Sequence, residues 1–148
     1  MRQDVKTLAS RIDSAMALCK KVLEYGEKIR VLSPLDMGVD AYTEELTQFT
    51  EDRGKATRTA IREISSIYDS YAEIEKDLTA SNAEKGFLNE KIRTVQDLSP
   101  LFAKQDVIIR RIIETHLTAL RKESAQFHSN VGVIKNYLKT PDTRTFYG

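Results

Sequence analysis

The sequence has few of the residues that interrupt helices or carry cysteine chemistry. It contains no Trp, three Pro and a single Cys among 148 residues. One cysteine excludes an intrachain disulfide, and Cys19 lies on an apolar stripe, where a thiol packs as a small hydrophobic group. The scarcity of Pro, together with 30% charged residues, favours long helices with solvated outer faces.

An excess of one charge and long apolar runs are also missing. The 23 basic and 22 acidic residues nearly balance, so the chain lacks the positive surface that nucleic acids or anionic membranes attract. No run approaches the roughly 18 apolar residues of a membrane span, and Met1 is not followed by a signal-peptide core. We expect a cytosolic protein forming one domain, residues 1–148, with no nucleic acid partner and no membrane insertion.

Apolar residues recur at steps of three and four along most of the chain. The first helix is predicted over residues 4–32, ending before Ser33-Pro34. Its stripe steps without a break, with the 3.5-residue period of a coiled-coil seam. The members of this stripe are Val5, Leu8, Ile12, Ala15, Cys19, Val22, Gly26 and Ile29.

Two further helices are predicted in the middle of the chain. The second covers residues 36–79 and is expected to continue through Gly54, because one Gly is tolerated and no Pro intervenes. Arg53 interrupts its apolar stripe. The third helix covers residues 81–97, since Ser81 and Glu84 fit a capping box at its start.

The last helix is predicted as one long element over residues 100–139, followed by a tail at 140–148. Ser99-Pro100 is a typical helix start, and Pro141 stops the pattern at the other end. Asp106 and Ser124 are the only polar interruptions of its stripe. The four helices predict an all-α, antiparallel bundle of long, coiled-coil-like helices with no sheet. The stripe of the last helix comprises Phe102, Ile109, Ile113, Leu117, Leu120, Phe127, Val131, Ile134 and Leu138.

Residue patterns for catalysis or metal binding are not found. His116 and His128 lie twelve residues apart and outside any Glu-x-x-His arrangement, so both are expected at the surface or its boundary. There is no Gly-rich phosphate loop and no Gly-x-Ser-x-Gly elbow. We predict no enzymatic activity, no catalytic residues, no metal and no cofactor.

Several features together resemble flagellar type III export chaperones of the FlgN and FliT type. They are two long amphipathic helices, the charged run Thr50-Glu51-Asp52-Arg53, Gln105-Asp106 before an Ile-rich face, and Tyr137 before a short aromatic tail. The resemblance implies a cytosolic chaperone that binds the helical C-terminal segment of a flagellar axial protein. The implied client is a hook–filament junction or cap subunit, kept from premature assembly before secretion, and export-apparatus components are possible further partners.

The far end of the last helix is the predicted partner-binding site, because the shorter third helix cannot cover it. We expect this end either to receive a partner helix or to be covered until a partner displaces the cover. Coverage by the first two helices as ordinary core is the competing interpretation. A coiled-coil structural or adaptor subunit is the alternative function, and the oligomeric state is left open. The predicted partner-binding residues are Phe127, Val131, Ile134, Tyr137, Leu138, Phe146 and Tyr147.

Overall fold

The computed structural model describes the backbone of residues 1–123 and 128–139, with side chains omitted at 128–131, 133 and 139. Within these ranges the chain forms helices and no strand, which confirms the all-α helical bundle. No helix in the described ranges combines the length and apolar character needed to cross a bilayer. The elements are α1 Gln3–Val31, α2 Pro34–Met37, α3 Val39–Lys76, α4 Asn82–Glu123 and α5 His128–Lys139.

The apolar stripe of α1 runs through the centre of the bundle. All eight residues of the predicted stripe, from Val5 to Ile29, are buried. Cys19 is fully buried among them, and burial raises the pKa of its thiol to about 11. A neutral thiol in an apolar setting packs and does not react, as its place on the stripe predicted.

The four longer helices occupy the corners of a bundle in which α3 and α4 stand diagonally. α1 packs along both α3 and α4, whereas α3 and α4 touch each other little. α5 lies against α3 and α4 on the side opposite α1, so it fills the fourth corner. At about 1.5 Å per residue, α3 is about 57 Å long, α4 about 63 Å and α5 only about 18 Å. The described residues therefore fill the fourth corner along only part of the bundle.

The predicted helix start at Ser99-Pro100 is wrong, because α4 continues through Pro100. An interior Pro costs about 3 kcal/mol relative to Ala, since it removes a backbone donor and crowds the preceding turn. The apolar stripe passes Pro100 without a change of register, through Ile92, Val95, Ser99 and Phe102, all of which are buried. Burial on both sides of the Pro thus keeps the predicted third helix and the start of the last helix in one element.

The single predicted helix over residues 100–139 is also wrong. α4 ends at Glu123, and α5 runs back along it, because the Tyr137 hydroxyl lies 3.4 Å from Asp106 and Arg110 bonds the Leu138 carbonyl at 3.1 Å. Residues about thirty apart lie about 45 Å apart along one straight helix. A straight extension of α4 would project beyond α1 and α3, whereas the reversal buries Ile134 in one apolar cluster with residues of α3 and α4.

The predicted second helix is divided near its start. Ser33 caps the short α2, and Gly38 ends it with a φ of 84°, a conformation that favours glycine. Leu35, within α2, is 95% exposed. α3 then continues through Gly54, as predicted. The capping box before α4 is confirmed, since the Glu84 amide donates to the Ser81 hydroxyl at 3.0 Å.

Candidate site for a partner helix

A buried ion pair joins α3 to α4 at the level where α5 ends. Arg53 Nη1 donates to Asp106 Oδ1 at 2.6 Å, and the two side chains are 2% and 4% exposed. Arg53 Nη2 also donates to the Phe102 carbonyl at 3.1 Å. Because an unpaired buried charge is costly, this pair fixes how far α3 and α4 can slide or separate.

Gln105 extends this network to α1. Its side-chain oxygen accepts from Arg53 Nη2 at 3.2 Å, while its amide nitrogen donates to the Leu23 carbonyl at 2.9 Å. The amide lies directly over Gly26, where an added Cβ would stand 2.1 Å from Gln105 Oε1. A side chain at position 26 would therefore force the Gln105 amide to move, although the φ of Gly26 is ordinary.

Tyr137 and its neighbours connect α5 to the same network. The Tyr137 hydroxyl lies 3.4 Å from Asp106 Oδ1, and the Arg110 guanidinium lies 5.7 Å from the centre of the Tyr137 ring. Arg110 Nη1 donates to the Leu138 carbonyl at 3.1 Å, so a cation stands at the negative end of α5. Through Gln105, Arg53, Asp106 and Tyr137, the network joins all four long helices at one level.

The electrostatics of this network favour a neutral Tyr137. Burial raises the pKa of its phenol above the ordinary value. The Arg53 and Arg110 guanidinium groups act to lower this pKa and the Asp106 carboxylate to raise it, and the effect of burial is the largest. Asp106 Oδ2 is buried and has no hydrogen-bond partner among the described residues. The phenol hydrogen therefore faces a carboxylate with spare acceptor capacity, and α5 is held in part by this contact.

A second buried polar contact lies toward the start of α3. The Thr43 hydroxyl donates to the Val39 carbonyl at 2.8 Å, so its oxygen is the acceptor for His116 Nε2, also at 2.8 Å. The Tyr42 ring and the imidazole meet edge to face, with the centroids 4.7 Å apart. His116 is 7% exposed, so the expected surface position is wrong. Burial lowers the pKa of His116 and keeps the imidazole neutral.

Beyond the end of α5, the described residues leave an open groove between α3 and α4, here called the α3–α4 groove. It has a volume of about 700 Å³. Ile61, Ile64 and Tyr68 of α3 face Pro100 of α4 across it, and Tyr68 is 37% exposed. Ser65, Ser66, Gln96 and Ser99 supply polar atoms to the lining. The α3–α4 groove continues the line of α5 along the fourth corner of the bundle.

The predicted partner-binding residues fall into three groups. Ile134 is 1% exposed within an apolar cluster with Ile109 and Ile113, and Tyr137 and Leu138 are half-buried beside that cluster. The chain's own helices thus cover these three residues. Val131 lies on α5, and the structure describes its backbone but not its side chain. Phe127, Phe146 and Tyr147 lie outside the described residues altogether.

Sequence reasoning missed the pairing of Arg53 with Asp106 and the α3–α4 groove. A signal for the pair was present, because each residue is a charge on an otherwise apolar stripe, and the two charges are opposite. Two such interruptions on helices of one bundle are expected to meet, since a buried charge needs a partner. The groove had no signal in the sequence, because it depends on the reversal between α4 and α5.

Among residues 1–123 and 128–139, no cluster of three or more His, Cys, Asp or Glu side chains could hold a metal ion. The described site therefore consists of a polar network, a docked helix and an adjoining open groove. Comparison with protein-family models, curated proteins and solved structures finds no match for this chain.

Proposed function

We propose that this protein is a cytosolic chaperone of the flagellar export type, which binds a helical C-terminal segment of an axial protein. The proposed clients are hook–filament junction and cap subunits, whose exposed helical ends need cover before secretion. The main support is the fourth corner of the bundle, which α5 fills at one end and leaves open along the α3–α4 groove. A groove between two long helices suits an amphipathic helix that anchors residues at i, i+3 or i+4, and i+7.

α5 provides an internal example of this mode of binding. It is a twelve-residue helix that lies between α3 and α4 and buries Ile134, Tyr137 and Leu138 against them. An isolated helix of this length is marginal in water, so its apolar contacts hold it in place. A client helix can use the same chemistry in the open groove. The α5 residues themselves become available to a client if α5 leaves its place.

The test is binding of labelled peptides, measured by fluorescence anisotropy. The probes are C-terminal peptides of the hook–filament junction and cap proteins encoded in the same genome, with scrambled peptides of equal composition as controls. We expect saturable one-to-one binding of the native peptides and none of the scrambled ones. Equal binding of both kinds, or an obligate assembly that takes up no peptide, would contradict the proposal.

Matched variants locate the binding surface. Tyr68 in the α3–α4 groove is 37% exposed, and Phe87, which does not line that groove, is 36% exposed, so a Glu at either position disturbs the fold to a similar extent. We expect Tyr68→Glu to abolish binding and Phe87→Glu to leave it intact. Truncation after Lys139 and Tyr137→Asp probe the tail and α5 in the same assay. Binding that survives all of these changes would exclude this surface.

A further inference from the structure

The helix α5 runs along the fourth corner toward the α3–α4 groove. Ile134 packs in one cluster with Ile113 of α4, and further along α5 the Tyr137 hydroxyl lies 3.4 Å from Asp106. As residue numbers rise along α5, the numbers of its neighbours on α4 therefore fall. The next part of α4 in that direction is the stretch around Pro100, which lines the groove.

The α3–α4 groove begins a short distance beyond the level at which α5 ends. Tyr137 and Arg53 both approach Asp106, so Arg53 marks that level on α3. The groove lining on α3 runs from Ile61 to Asp69, which are eight and sixteen residues after Arg53. At about 1.5 Å per residue, the lining therefore extends from about 12 Å to about 24 Å beyond that level.

The residues that follow α5 are long enough to run the length of the groove. Nine residues, 140–148, come after Lys139 in the sequence. From Tyr137 to Phe146 an extended chain reaches up to about 30 Å, and Tyr147 comes one residue later. The two aromatic residues can therefore reach any part of the groove lining.

The groove offers the contacts that these residues need. Pro141 disfavours a helical continuation of α5, so an extended segment is expected, and its backbone polar groups require partners. Ser65 and Gln96 supply polar atoms to the lining. Phe146 and Tyr147 are large side chains that gain most from an apolar surface, because an aromatic ring buries about 150–250 Å². The apolar part of the lining consists of Ile61, Ile64, Tyr68 and Pro100.

We propose that residues 140–148 occupy the α3–α4 groove, with the rings of Phe146 and Tyr147 packed on its apolar lining. The segment thereby completes the fourth corner of the bundle, which α5 fills in part. Because the segment is tethered to α5, its effective concentration at the groove is on the order of millimolar, so weak contacts suffice to cover the lining. The docking stands without the proposed function. Competition with a client helix for the groove rests on that function.

Disulfide formation between engineered cysteines tests where the segment lies. The test variant is Ser65→Cys/Gly148→Cys, which places one thiol in the groove and one after the aromatic pair. The natural Cys19 is fully buried, and burial raises its pKa to about 11, so its thiol stays protonated and unreactive. With oxidised glutathione and dilute protein, the rate of intramolecular disulfide formation is measured by mass spectrometry.

The control variant is Ser10→Cys/Gly148→Cys. Ser10 is exposed and lines a different cavity, beside Arg11 of α1. Arg11 bonds the Ser66 hydroxyl at 2.6 Å, so Ser10 lies at nearly the same level of the bundle as Ser65. We expect the disulfide with position 65 to form at least tenfold faster than the one with position 10. Equal rates would overturn the proposal.

The aromatic rings are tested in the same variant. Adding Phe146→Ser/Tyr147→Ser should slow disulfide formation with position 65 at least fivefold. The control Thr143→Ser/Thr145→Ser changes the same segment without removing a ring, and should have little effect. A rate that does not change when both rings are lost would overturn the assignment of these rings to the groove.

The groove lining is tested by a charge at Tyr68. We expect Tyr68→Glu to slow disulfide formation with position 65, and the equally exposed Phe87→Glu, outside the groove, to leave the rate unchanged. Equal rates in these two variants would contradict docking on this lining.

Peptide binding distinguishes this inference from the proposed function. If both are correct, the chain ending at Lys139 binds a native client peptide at least threefold more tightly than the full chain, because the competing segment is absent. Selective disulfide formation with position 65, without binding of any client peptide, supports the docking and contradicts the proposed function. Client binding that is equal in the two forms, together with equal disulfide rates at positions 65 and 10, overturns the docking alone.

Discussion

The guanidinium of Arg53 and the carboxylate of Asp106 lie 2.6 Å apart, and neither side chain is more than 4% exposed. The two residues come from helices that stand diagonally in the bundle and otherwise make little contact. Tyr137 of α5 reaches the same carboxylate, and Gln105 connects the guanidinium to α1. This pair therefore fixes the positions of the four longer helices along the bundle axis relative to one another.

Removing one member of this pair should destabilise the fold strongly. Arg53→Met leaves the Asp106 carboxylate buried without its cation, and Asp106→Leu leaves the guanidinium without its anion. We expect each change to cost about 3–5 kcal/mol, measured by urea unfolding. The double variant Arg53→Met/Asp106→Leu should cost far less than the sum of the single changes, because no buried charge is left unpaired. Additive losses would contradict this account of the pair.

Gly26→Ala should destabilise the protein through Gln105 alone. The added methyl group displaces the Gln105 amide, which loses its bonds to the Leu23 carbonyl and to Arg53, at a cost of about 1–3 kcal/mol. In a Gln105→Ala background the clash is gone, so Gly26→Ala should be neutral or stabilising, as Ala is the better helix former. Gly86→Ala is the control, since an added Cβ there meets nothing within 4 Å. The same loss in both backgrounds would refute the role of Gln105.

His116 should make stability depend on pH. Its folded pKa is lowered by burial, so below the ordinary value of about 6.5 the unfolded chain binds more protons than the folded one. Stability is therefore full above about pH 6.5 and is lost as the pH falls toward the lowered value. Melting temperatures at pH 7.5 and pH 5.5 measure this loss. His116→Gln should reduce it, and comparison with His128→Gln identifies the contribution of the other histidine.

Pro100→Ala should stabilise the protein. The new amide can donate to the Gln96 carbonyl, and the crowding of the preceding turn by the Pro ring is relieved. Allowing for the greater freedom of the unfolded chain, we expect a gain of about 2 kcal/mol in thermal or urea unfolding. Pro34→Ala is the matched control, because Pro34 stands at the first position of α2, where its missing donor has no cost. Equal effects at both positions would argue against a strained interior site.

Ile134→Ala should loosen α5 before the rest of the bundle. Ile134 is 1% exposed against Ile109 and Ile113, and truncating such a side chain costs about 2–5 kcal/mol. Hydrogen exchange of α5 amides should accelerate, while amides in the middle of α1 remain protected, because local stability follows local contacts. Tyr137→Phe, which removes only one long hydrogen bond, should have a smaller effect. Uniform acceleration in α1 and α5 would show that the bundle opens as one unit.

The sequence by itself determined that the chain is helical and which face of α1 is buried. The predicted apolar stripe of α1 is buried at every position, from Val5 to Ile29. A spacing of three and four places residues on one face of a helix, whatever that face packs against. The capping box at Ser81 and Glu84 was equally local.

The tertiary structure decided how these faces meet. Pro100 is a stop signal in isolation, and only burial on both sides of it keeps α4 continuous. The reversal that returns α5 to the level of Asp106 depends on what the far end of α4 can pack against. Long-range packing therefore brought Arg53 and Asp106 together and formed the α3–α4 groove beyond α5. Short-range spacing does not encode such packing.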